Sequence, residues 1–193
     1  LWSAGDEISL FNEKGGATSI YVLSAGEGTV SGEFTAVSEP SEGYMYAVYP
    51  AVESKEEGLA VAVEIPVEQT YAGDAFPADY PMAAVSRDGR DFVFDNLATI
   101  LTLNMVGNAS VESISIEANG ADEFMAGAAE IDFSGEKPLL TATGSNVVTL
   151  TCDEPVKLQA EPVAFRFIAA SGTYSGGFTV TVRHDGGKET EIT

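Results

Sequence analysis

Apolar and polar residues alternate along most of this chain with a period of two. In "ESISIEA" (residues 112–118), Ile114, Ile116 and Ala118 point one way while Ser113, Ser115 and Glu117 point the other. Successive side chains of a strand leave opposite faces, so this alternation predicts a half-buried β-strand. "GFTVTVR" repeats it, with Phe178, Val180 and Val182 opposed to Thr179, Thr181 and Arg183. "ATILTLNMV" sets Leu101, Leu103 and Met105 on one face, and "VAFRFI" turns Val163, Phe165 and Phe167 inward. Further strands are predicted at residues 7–11, 19–23, 29–35, 44–49, 59–65 and 91–94. Helical spacing is nearly absent. Only "ADEFMAGAAE" (121–130) tolerates a short helix, and its glycine and few large apolar residues weaken it. Many short strands separated by turn signals predict an all-β chain built as an antiparallel β-sandwich. The expected organisation is one domain over residues 1–193, with a sub-boundary in the loop at 68–81.

Two turns follow from register. In "AAVSRDGRDFVF" a two-residue Asp88-Gly89 turn pairs Val85 with Phe92 and Ala83 with Phe94, apolar to apolar. In "TVTVRHDGGKETEI" a two-residue turn would oppose Arg183 to Lys188. A three-residue loop at Asp185, Gly186 and Gly187 opposes Arg183 to Glu189 and Val180 to Ile192 instead. Like charges directly opposite each other are unfavourable, so the longer loop is expected.

The stretch "GYMYAVYP" (43–50) holds three of the seven tyrosines. On a strand, Tyr44, Tyr46 and Val48 share one face and Met45, Ala47 and Tyr49 the other. Both faces are apolar, as in a central strand buried between layers. The competing reading is an aromatic platform that stacks on sugar, with Trp2, Tyr44 and Tyr46 as the glycan contacts.

Charge narrows the partners. Nine basic residues against 30 acidic give a net charge of −21. Phosphate contacts need clustered Lys and Arg, so nucleic acid is not an expected partner, and anionic lipid is disfavoured for the same reason. No apolar run is long enough to insert into a membrane.

Chemistry is sparse. Cys152 is the single cysteine and is in phase with Val148 and Leu150, which marks a buried structural thiol. His184 is the single histidine and adjoins the Asp185 turn, so a nucleophile with its base is hard to assemble. One histidine and one cysteine cannot build a structural zinc site. Asp88, Asp91 and Asp95, or Glu53, Glu56 and Glu57, offer oxygen donors for calcium but lack the spaced acidic loop. The glycines of "SAGEGTVSG" and "SGTYSGGF" lead into strands and lack nucleotide-loop spacing. No enzyme, cofactor or metal site is expected.

The ordered motifs "WSAGDEISLF", "YMYAVYP", "IPVEQTY", "FVFDNLATILTLNMVG" and "VAFRFIAASGTYSGGFTVTVRHDGG" resemble the fimbrillin-like family of Bacteroidales surface proteins. The resemblance implies a transthyretin-like, Greek-key sandwich. It also implies export as a lipoprotein and display on the outer membrane as a fimbrial subunit, anchor or tip adhesin. Its partners would be other fimbrial subunits, or host or bacterial surface ligands. No signal segment or lipid-bearing cysteine appears near Leu1, so any lipid anchor would lie upstream of it. Subunits of that family join by strand addition at a sheet edge. The last strand here is committed to its own hairpin and carries one large apolar residue, Ile192. The chain as given is therefore expected to be monomeric, with any donor strand beyond Thr193 or in a partner.

Overall fold

The structure is a computed structural model that describes residues 1–37, 43–73, 75 and 80–193. The described residues form strands and connecting turns and no helix. In chain order the strands are β1 (Glu7–Phe11), β2 (Gly16–Ala17), β3 (Ser19–Ala25), β4 (Glu33–Ala36), β5 (Tyr46–Tyr49) and β6 (Ser54–Lys55). There follow β7 (Ala60–Ile65), β8 (Glu68–Thr70), β9 (Met82–Val85), β10 (Asp95–Asn96), β11 (Ala98–Met105) and β12 (Ser110–Ala118). The last six are β13 (Gly127–Asp132), β14 (Leu139–Ala142), β15 (Val147–Lys157), β16 (Val163–Ala170), β17 (Phe178–His184) and β18 (Lys188–Ile192). The fold is all-β with several antiparallel sheets, as a β-sandwich requires.

The residues group into two compact units. One comprises Leu1–Val63, Asp79–Leu97 and Glu130–Leu140, the other Glu64–Ala78, Ala98–Ala129 and Thr141–Thr193. The changeovers between units fall at the ends of these segments, three of them inside β7, β13 and β14. Part of the 68–81 segment lies outside the described residues.

The first unit is built on a six-stranded sheet in the order β10-β9-β5-β1-β3-β4. One face carries a core of Trp2, Ile8, Leu10, Tyr44, Ala47 and Ala84, with Tyr21, Leu23, Phe34, Tyr49, Met82, Phe92 and Phe94 packed against it. On the opposite face Phe11 and Tyr46 meet Phe133. β5 is central, paired to β1 on one side and β9 on the other. Tyr44 and Tyr46 do not share a face as alternation predicts. The ladder stops at Tyr46 and Gly43 has a φ of 79°, so Tyr44 is free of the strand's period and folds into the Trp2 core.

The Asp88-Gly89 hairpin does not form. β9 pairs with β10 in the register Ala83–Asp95 and Met82–Asn96, across a longer loop, and residues 91–94 are not a strand. The loop's own side chains explain this. Ser86 Oγ accepts from the N–H of Gly89 at 2.9 Å, and Asp88 Oδ1 accepts from Arg90 and Asp91 at 3.0 and 3.2 Å. These bonds satisfy the backbone that a two-residue turn would have used. A Cβ on Gly89, at φ 71°, would stand 2.6 Å from the Tyr44 carbonyl oxygen, so the loop needs glycine there. Two further expectations shift. The 29–35 strand contracts to β4 because Thr29 is held in a turn, donating from Oγ1 to the carbonyls of Gly26 and Ser31. The 121–130 helix is replaced by β13, led in by a bridge between Ala126 and Ser145.

The second unit holds a five-stranded sheet in the order β18-β17-β12-β15-β8 and a two-stranded sheet of β11 and β16. Ile114, Ile116, Ala118, Val148, Leu150 and Val182 are buried on the inward face, as alternation predicts. So are Phe165 and Phe167 on β16. The three-residue turn forms, with Arg183 opposite Glu189 and Val180 opposite Ile192. A bulge between Val111 and Ser113 leaves Glu112 outside both ladders. Its carboxylate accepts from the N–H groups of Gly186 and Gly187 and pairs with Arg183, which fastens the turn.

One pairing departs from the antiparallel expectation: β8 lies parallel to β15. Gln69, on β8, makes this useful. Its side-chain Nε2 donates to the Ile168 carbonyl at 2.8 Å, and its Oε1 accepts from the Ile168 N–H at 2.8 Å. The carboxamide thus takes the place of a neighbouring strand against β16. Tyr71 packs on Phe165 with ring centroids 5.0 Å apart, and the Arg166 guanidinium donates to the Gly73 carbonyl, so the whole 66–73 segment is latched down.

Gln69→Leu keeps the shape but orphans two buried backbone groups, each worth about 1–3 kcal/mol when left unsatisfied. The expected loss of stability is about 2–4 kcal/mol by denaturant titration. A loss below about 1 kcal/mol would mean that the amide is not what closes this edge.

Candidate functional site

The residues singled out in the sequence fall mostly into packing roles. Trp2 is 9% exposed and meets Phe34, Tyr49 and Phe94 edge-on at centroid distances of 4.9–5.5 Å. Tyr44 is 8% exposed, and its hydroxyl bonds that of Ser19. Tyr46 is half-buried, stacked on Phe11 at 5.8 Å. The three rings are thus distributed over two faces of one sheet and make no exposed coplanar row.

Cys152 is buried among the core residues of β15, and burial, with the Asp153 carboxylate beside it, pushes its thiol pKa up. A thiol held protonated is a poor nucleophile. His184 Nδ1 lies 3.2 Å from Asp185 Oδ2, and its Nε2 lies 3.0 Å from Thr190 Oγ1. The order Asp–His–Thr is that of a nucleophilic relay, but each member already fastens the hairpin. Asp185 takes the N–H of Ser110 through its other oxygen, and Thr190 stands opposite Val182 across the ladder. Asp88 is held below the usual carboxylate range by the N–H groups of Arg90 and Asp91 and by the Ser86 hydroxyl. Neither acidic triplet singled out in the sequence closes into a cage, and no group of three or more His, Cys, Asp or Glu suited to a metal occurs among the described residues.

Lys55 is a polar feature that sequence reasoning missed. It is buried, and its ammonium donates to the carbonyls of Lys14, Glu56 and Gly58 at 3.4, 2.6 and 2.9 Å. Its Nζ also stands 5.6 Å from the Phe11 ring centroid, and burial lowers its pKa. A cavity of about 430 Å³ is lined by Phe11, Asn12, Lys14 and Tyr44 among others, and Lys55, whose three donors are taken, is not part of its lining. Lys55 anchors two loops and leaves no donor free for a ligand.

What remains is the backbone itself. A strand at the edge of a sheet presents unpaired N–H and C=O groups to any extended chain, and natural sheets blunt such edges with charge, proline or brevity. β18 is blunted by Lys188, Glu189 and Glu191, and β4 by Glu33. Beyond its short contact with β8, β15 carries Asp153, Glu154 and Pro155. β16 carries Arg166 and the Gln69 cap. Among the described residues, each other free edge is four residues or shorter, or charged. β11 is different. It runs eight residues with no charge and no proline, and over Thr99–Met105 its ladder among the described residues is with β16 alone. Ile100, Leu101, Leu103 and Met105 stay half-exposed beside the open edge, and Thr102 and Asn104 are exposed. Met105 and Val106 continue into a groove of about 270 Å³ floored by Val111, Leu158 and Val182. In the sequence this strand lies within sixteen consecutive uncharged residues, 96–111, but 167–182 is an uncharged run of equal length, so only the strand's place at a sheet edge singles it out.

Cys152 is expected to resist a thiol reagent in the native protein and to react stoichiometrically once denaturant is added. Rapid labelling without denaturant would contradict its placement in the core. No protein-family model, no curated protein and no solved structure matches this chain.

Proposed function

We infer that this chain is a non-enzymatic structural or adhesive protein of the cell surface: a fimbrial subunit, anchor or tip-like adhesin whose working surface is the outer edge of β11. The observation that carries the reading is the contrast between that edge and its neighbours. A chain that blunts its other long edges and leaves its longest uncharged one open is built to be joined by an extended segment. The ordered motif resemblance to fimbrillin-like proteins supports the same reading, and with it a Greek-key, transthyretin-like arrangement, a lipid anchor and an outer-membrane location. The partners are other fimbrial subunits or surface ligands that offer a strand. The roles found for Cys152 in packing, and for His184, Asp88, Asp185 and Glu112 in turn closure, support a non-catalytic protein. The burial of Trp2 and Tyr44 favours assembly over sugar stacking as the use of this surface.

Antibody raised against the folded chain should label intact cells that make it, and brief protease treatment of whole cells should remove the label. Purified protein should show no saturable affinity in a glycan screen that Trp2→Ala or Tyr46→Ala selectively abolishes. Labelling only after lysis, or glycan binding lost in those variants without loss of fold, would overturn the reading.

A further inference from the structure

We propose that the outer edge of β11 pairs with the same edge of a second copy of this chain, antiparallel and centred on Thr102. This rests on the reading of β11 as an assembly surface and names its occupant. The pairing would join two β11–β16 sheets into one four-stranded sheet about a two-fold axis.

The register follows from the sequence of the edge. Centring on Thr102 sets Thr102 opposite Thr102, Leu101 opposite Leu103, Ile100 opposite Asn104 and Thr99 opposite Met105. All seven residues from 99 to 105 are used. Odd positions meet odd positions and even meet even, so backbone groups that point outward on one copy meet outward-pointing groups on the other. Side chains also keep their faces. Leu101, Leu103 and Met105, half-exposed in one copy, gain the same three residues of the other as neighbours on the same face.

Charge chooses between occupants. The chain carries −21, so a basic partner would be drawn to it in general. Yet residues 96–111 offer such a partner no carboxylate to pair with at the edge itself. The strand that fits is uncharged, apolar on one face and dotted with Thr and Asn on the other. β11 is such a strand. The expectation of a monomer considered only the C-terminal strand as a donor; edge pairing needs no donor free of its parent sheet. Repulsion between two acidic copies opposes the contact and is screened by salt.

Sedimentation velocity on the full chain tests this. The expected result is a monomer–dimer equilibrium whose dimer fraction rises with protein concentration and with added salt. Thr102→Lys sets two ammonium groups face to face at the centre of the contact and should weaken the dimer at least about tenfold. Thr102→Val should leave it intact, and circular dichroism melts should show both variants folded. A wild type that stays monomeric at every concentration and salt overturns the proposal, as does a dimer that Thr102→Lys does not weaken. A monomeric wild type that still takes up an uncharged Thr/Val-alternating peptide, in a manner blocked by Thr102→Lys, rejects the second copy as occupant but keeps the assembly edge. Failure to take up that peptide rejects both.

Discussion

Every strand carries two rows of backbone donors and acceptors, and each buried row must find a partner. A chain whose described residues hold no helix can satisfy these rows only with other strands, with side chains or with water. That constraint organises this molecule. Where strands run short, side chains act as stand-ins: Gln69 serves the Ile168 backbone, Glu112 the N–H groups of Gly186 and Gly187, and Glu123 those of Gly120 and Gly176. Ser9 does the same inside the first unit, exchanging bonds through Oγ with both the N–H and the carbonyl of Val52. No buried side-chain nitrogen or oxygen among the described residues is left without a partner.

Strand content, inward faces and the C-terminal turn could be read from the sequence because they depend on local alternation. β12 and β17 show this: Ile114, Ile116 and Val182 must point one way whatever else the chain does, and the Arg183–Glu189 pairing follows from charge alone. Features governed by distant partners could not be read so. Asp88-Gly89 has the residues of a tight hairpin, but Ser86 and Asp88 capture the loop's own backbone and lengthen it. Tyr44 leaves the period of β5 because its destination is a core assembled from Trp2, Ile8 and Leu10, more than thirty residues earlier in the chain. The parallel seat of β8 depends on where β15 ends up, which no pattern within 68–70 encodes.

The acidic balance and the open edge belong together. A charge of −21 keeps copies apart at random encounter, and residues 96–111, which include the whole of β11, carry none of it. The strand most able to join another chain is thus a long edge strand that carries no charge. The aromatic residues that drew attention in the sequence are spent on the interior, and Lys55 is locked between loops by three carbonyls. Backbone, and not side-chain chemistry, is what this protein offers to a partner.

Residue-resolved amide exchange of the dilute protein tests this account most directly. Alternate amides of residues 99–105, those facing away from β16, should exchange orders of magnitude faster than the amides of residues 114–118, which are flanked by β15 on one side and β17 on the other. Uniform protection across β11, matching that of β12, would show that the edge is already covered within a single chain and would contradict the account.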